Sequence, residues 1–102
     1  MAIKKQYLKS KAICKVTFKI SNAQAHSANS VRLVGDFNQW DQSTIPMKKL
    51  KNGDFTATIN LAKDSQYQFR YLLDDKVWEN DWNADAYIAS PLSFADNSVV
   101  QV

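Results

Sequence analysis

The chain of 102 residues has two glycines, two prolines, one cysteine and one histidine. A single cysteine, Cys14, excludes an internal disulfide and fits a reducing compartment, so the chain is read as cytoplasmic. His26 stands in a polar stretch with no second histidine or thiol nearby, which leaves no metal-ligand pattern. Gly35 and Gly53 alone cannot build a glycine-rich phosphate loop. The sequence has no apolar run of membrane-spanning length, and its basic N-terminus lacks the apolar stretch of a signal peptide. A convincing helical period is missing throughout. Neither a cofactor nor a membrane is expected.

What is present describes an ordinary globular chain, 45% hydrophobic and 23% charged. This length supports one domain, residues 1–102, with a modest core. Residues 1–12 read as a less ordered or edge N-terminal segment. The net charge of +3 is unevenly spread. Lys4, Lys5, Lys9, Lys11, Lys15 and Lys19 crowd the first twenty residues, while acids gather from Asp74 to Asp85. A basic arm can hold phosphate backbones, but no aromatic-glycine signature of an RNA-binding sheet accompanies these lysines. They read as a solvated first strand that discourages edge pairing, and no nucleic-acid partner is expected.

Taken in order, the sequence alternates strands and turns. Val16, Phe18 and Ile20 share one face, with Lys15, Thr17 and Lys19 on the other. A polar loop, Ser21 to Ser30, leads to a strand from Val31 to Val34. Asn52-Gly53 between extended runs marks a hairpin. Phe55, Ala57, Ile59 and Leu61 then alternate with polar residues, and Tyr67, Phe69, Tyr71 and Leu73 alternate with Gln68, Arg70 and Leu72. Asp74-Asp75 makes a turn into Val77 and Trp78. Glu79 to Ser93 reads as irregular, Pro91 arguing against a central strand, and Asn97 to Val102 closes the chain. The pattern predicts an all-β, immunoglobulin-like sandwich of about seven to eight antiparallel strands, with a small barrel as the alternative.

Catalytic groups are not evident on this frame. Asp74 and Asp75 are adjacent, so on an extended chain they point to opposite faces and suit a turn better than an acid–base pair. Asp81 to Asp85 begins like a calcium loop, but Ala86 stands where glycine is wanted and Leu92 where an acid is wanted. Cys14 has no histidine partner in sequence. There remains an aromatic and polar set: Trp40 in a turn, Trp78 after another, Arg70 on the polar side of its strand, and Asn97 at the start of the last. An indole offers a flat surface to the C–H face of a sugar, while guanidinium and amide groups serve its hydroxyls. Trp40 has two readings, a lid folded on the sheet edge or an exposed platform; Trp78 and Trp82 could equally be core or rim residues.

Three motifs resemble one family. Gly35-Asp-Phe-Asn-Gln-Trp40, the run from Phe69 to Trp78 (F-R-Y-L-L-D-D-K-V-W) and Asp96 to Val102 (D-N-S-V-V-Q-V) are similar to carbohydrate-binding module family 48. That family includes isoamylase N-terminal "early set" domains and the glycogen-binding domain of the AMP-activated protein kinase β subunit. The resemblance implies a non-catalytic β-sandwich that binds α-1,4-linked glucans such as glycogen and starch. It assigns stacking to Trp40 and Trp78, a basic contact to Arg70 and an amide contact to Asn97. Phe37 and Asn38 would shape the turn. Asp74-Asp75 replaces the Asp-Gly turn of kinase-type members, and Ser93-Phe94-Ala95 stands where those members place leucine and threonine against the sugar. No catalytic domain is expected after Val102. A protein-interaction module associated with a glycogen- or starch-metabolising enzyme, without sugar binding of its own, is the alternative.

Overall fold

The period-two strands pair through their backbones and pack through their apolar faces. Cys14, Val16, Phe18 and Ile20 are buried while Lys15 and Lys19 between them are exposed. A computed structural model describes residues 1–90 and 96–102 as an antiparallel β-sandwich. One sheet has four strands in the order β1 (Ala2–Tyr7), β2 (Ile13–Ile20), β5 (Phe55–Ala62) and β4 (Lys48–Lys49). The other has β3 (Val31–Gly35), β6 (Gln66–Leu73), β9 (Asp96–Gln101) and β8 (Ala86–Ala89), with β7 (Val77–Glu79) also paired to β6.

The core between the sheets is aromatic at its centre. Phe18 and Phe69 meet edge-on at 5.1 Å, and Phe69 meets Tyr71 in the same manner at 5.7 Å. Such pairs add about 0.5–1.5 kcal/mol beyond the area they bury. Val31, Leu33, Phe55, Leu61, Leu73 and Val100 complete this layer.

Two strands go beyond the sequence expectation. β1 pairs with β2 along its whole length, from Ala2 opposite Lys19 to Tyr7 opposite Cys14. Its inward Lys5 reaches Asp85 at 2.7 Å, so a charge stands where an alternating pattern wants an apolar residue. β8 falls inside the stretch read as irregular and pairs with β9 from Ala86–Val99 to Ala89–Asp96. Pro91 and the rest of residues 91–95 lie outside the described residues.

The neighbours of β6 determine how its outer face is built. β9 pairs with it at Gln66 to Phe69 and β7 at Tyr71 to Leu73, on the edge away from β3. Arg70 therefore sits at the junction of the two. At the end of β3, Gly35 passes so close to β6 that a Cβ there would lie 2.5 Å from Gln68 O and 2.7 Å from Phe69 Cβ. Its φ of −174° is ordinary extended backbone, so close approach alone demands glycine at this position.

Candidate functional site

Directly opposed residues of an antiparallel pair share a face. Val34 opposes Arg70, Gln68 opposes Val99, Leu72 opposes Trp78, and Ile88 opposes Asn97. Phe69, Tyr71 and Leu73 fill the core, so Gln68, Arg70 and Leu72 lie on the outer face of the five-stranded sheet. Arg70, Trp78 and Asn97, distant in sequence, thus occupy one face.

That face is not a simple polar surface. Val34, Leu72 and Val99 are buried on it, and Arg70 and Asn97 are only 9% and 6% exposed. Asn97 Nδ2 donates to Gln68 Oε1 at 2.9 Å, which fixes the amide beside β6. Trp78 is the exposed member, at 39%. Gln68 was missed as a partner of Asn97, although its two-residue spacing from Arg70 places it on the same face.

Trp40 comes from the turn after β3. Asp36–Asn38 form one 3₁₀ turn, and Phe37 packs inward against Phe18, Tyr67 and Phe69 at 6.1–6.5 Å between ring centres. Asn38 ties the turn together: its Oδ1 accepts from Gly35 N, and its Nδ2 donates to Leu33 O, Asp41 O and Thr44 Oγ1. Gln39 and Trp40 both take left-handed backbone, φ 56° and 57°, a conformation uncommon outside glycine. In a chain with two glycines such positions fall to other residues. Asp41 pins the next step by accepting from Ser43 N and Oγ, and these bonds hold its carboxyl below the usual value of 3.8.

The Trp40 ring is half-buried and clamped. Its Nε1 donates to Asp36 Oδ1 at 2.8 Å, while Asp36 Oδ2 accepts from the backbone N of Gln68, also at 2.8 Å. One carboxylate continues the strand ladder past Gly35 and holds the indole N–H. Trp40 is neither the free platform nor the buried lid of the sequence reading. Asp36 went unrecognised as a site residue; its position four residues before Trp40 within one motif was the available signal.

The acids weighed in the sequence, Asp74, Asp75 and Asp81, have structural partners. Asp74 Oδ1 accepts from Asn29 N and Ser30 N, and Asp75 lies 3.0 Å from Arg32 Nε. Both aspartates are left-handed turn residues. Asp81 is fully buried, accepting from Tyr71 Oη at 2.7 Å and from Asn83 N. Burial, then the Asp81 charge, then this hydrogen bond push the Tyr71 hydroxyl well above its ordinary value of 10.0. Asp81 is thus an internal pin, not the opening ligand of a calcium loop. No group of three or more His, Cys, Asp or Glu is placed to hold a metal among the described residues. Ser93-Phe94-Ala95, expected near the sugar, lie outside the described residues.

The family model for carbohydrate-binding module 48, the isoamylase N-terminal domain, matches residues 14–88. The chain belongs to this family. As a family 48 module it is a carbohydrate-binding domain, not a catalytic one. Trp40, Arg70 and Trp78 fall within the matched residues, whereas Asn97 lies beyond them. A search of curated proteins gave no match.

Proposed function

We propose that this family 48 module binds α-1,4-linked glucan, of the glycogen or starch type, on the outer face of its five-stranded sheet. The observation that carries the reading is Trp78, an exposed indole on the same sheet face as Arg70 and Asn97. The C–H face of a glucose unit stacks on Trp78, and the Arg70 guanidinium and Asn97 amide serve hydroxyls beside it. Trp40, held by Asp36 at the Gln68 end of the face, supplies the second aromatic. From Gln68 to Leu72 the strand advances about 13 Å, so the ligand is a chain of sugars. In the cell, the glucan is shared with a glycogen- or starch-metabolising enzyme. The test is retention of the pure protein on insoluble amylose and on glycogen, with cellulose as the control. Retention on the α-glucans alone supports the reading; equal retention on cellulose, or none on any, defeats it. The small extent to which Arg70 and Asn97 are exposed favours one other reading, a module that docks on such an enzyme without holding sugar. Absence of retention together with a stable complex with the enzyme would select it.

A further inference from the structure

The opposite sheet carries a different kind of surface. β4 is two residues long and covers β5 only at Phe55 and Thr56. Beyond them that side of β5 has no strand partner among the described residues. Two hydrogen bonds settle which residues face outward. Leu50 N donates to Asp54 O across the β4–β5 turn, and Lys63 N donates to Ala12 O on the β2 side. Main-chain groups alternate in direction along a strand, so those of Thr58 and Asn60 point to the open edge. Such a row is a template for an added strand.

The edge is not bare backbone alone. Beside it lies a cavity of about 260 Å³, lined by Phe37, Ile45, Ile59, Leu61 and Tyr67 with Asn60 and Ala62 at its rim. Its wall is mixed, the side chains of Phe37, Ile45, Ile59 and Leu61 sharing it with polar groups, and it opens next to the same strand. Charge supplies the third element. The four strands of this sheet contain six lysines and no acid, although Lys5 already meets Asp85 and Lys19 lies 3.8 Å from Asp54. Lys48 stands at one end of the open edge and Lys63 at the other, and Lys15 lies opposite Asn60 on β2. Two acids flank β5 in sequence: Asp54 just before it, 3.8 Å from Lys19, and Asp64 just after Lys63.

We infer that the open edge of β5 receives an extended acidic segment of a partner protein, which adds as a fifth strand and seats one apolar side chain in the cavity. Each observation fixes one property of the occupant. The Thr58 and Asn60 groups call for a peptide backbone, the Phe37, Ile45, Ile59 and Leu61 side chains of the cavity for an apolar side chain, and Lys48 and Lys63 for carboxylates. A second copy fits poorly. Antiparallel pairing of β5 with itself about Ile59 sets Lys63 of each copy against the β4 lysines of the other, and like charges in such positions repel.

The test is selection of short random peptides displayed against the intact protein, followed by affinity measurement on the selected sequences. The expected peptides carry acids at alternate positions around one apolar residue, and they shift the amide resonances of Thr58 and Asn60. Asn60→Pro removes an outward N–H without breaking the β2 ladder, a placement proline tolerates at an edge. It should weaken binding at least about tenfold, a loss of about 1.4 kcal/mol. The double variant Lys48→Glu with Lys63→Glu should weaken it similarly while the melting temperature holds, which covers the case in which the proline variant fails to fold. Failure to enrich any peptide overturns the inference, as do basic selected sequences. So does displacement of the peptide by maltoheptaose or by a nucleic acid, or concentration-dependent dimerisation through this edge.

Discussion

Trp78 is 39% exposed and stands opposite Leu72, itself only 2% exposed, so the indole both covers the sheet and faces solvent. A tryptophan buries up to about 250 Å², so roughly 100 Å² of Trp78 stays in water and about 150 Å² lies against protein. At about 25 cal/mol per Å² the wet part gives a sugar at most about 2.5 kcal/mol. Covering half of it gives about 1.2 kcal/mol, slightly less than tenfold in affinity. The dry part is worth about 4 kcal/mol to the fold, in the range of large aromatic truncations. Trp78→Ala therefore loses binding and stability together, which makes it a poor diagnostic. Trp78→Leu keeps Leu72 covered and removes only the flat surface. It should lose close to tenfold in maltoheptaose affinity by titration calorimetry while costing about 1 kcal/mol of stability, a melting shift of about 4–8 °C. A folded Trp78→Leu protein with undiminished affinity would refute the stacking role of this face.

The hydrogen bonds give two further expectations. Asp36→Asn can accept only one of the two donors that meet Asp36, so either the Trp40 indole or the Gln68 amide loses its partner. The expected cost is about 1 kcal/mol of stability, since the group is exposed, with a several-fold loss of glucan affinity; affinity unchanged to within error would show that the clamp does not serve binding. Tyr71 tests the core at high pH. Its hydroxyl is raised above 10.0, so its contribution is intact below pH 10 and declines, by up to about 1.4 kcal/mol per pH unit, as only the unfolded chain loses the proton. Tyr71→Phe should cost about 1–3 kcal/mol near neutrality by leaving Asp81 short of a donor, and its deficit against the natural protein should shrink above pH 10 in urea unfolding. A constant deficit would contradict the buried Tyr71–Asp81 bond.

The sandwich was legible because its inner faces follow period two: Val16, Phe18 and Ile20 on β2, and Phe69, Tyr71 and Leu73 on β6. β1 was harder to read because Lys5 occupies an inward position, acceptable only through Asp85, eighty residues away. β8 was hidden by brevity, four residues whose pairing depends on β9. At the site, the alternation that put Arg70 on the outer face was plain, but its burial was not. Outer-face burial depends on Val34, Leu72, Val99 and Trp78 collecting around β6, which no local pattern reports. The Trp40 turn was visible as a motif, while the role of Asp36 required knowing that β3 ends beside Gln68.

The indole N–H resonances of Trp40, Trp78 and Trp82, observed by NMR as maltoheptaose is added, report on the glucan face most directly. Trp82 is more exposed than Trp78, at 54%, and its backbone N–H lies against Met1 Sδ where β1 begins, so it serves as an internal control. The account predicts saturable shifts of Trp40 and Trp78 with Trp82 unmoved. Shifts confined to Trp82, or none at saturating sugar, would contradict it.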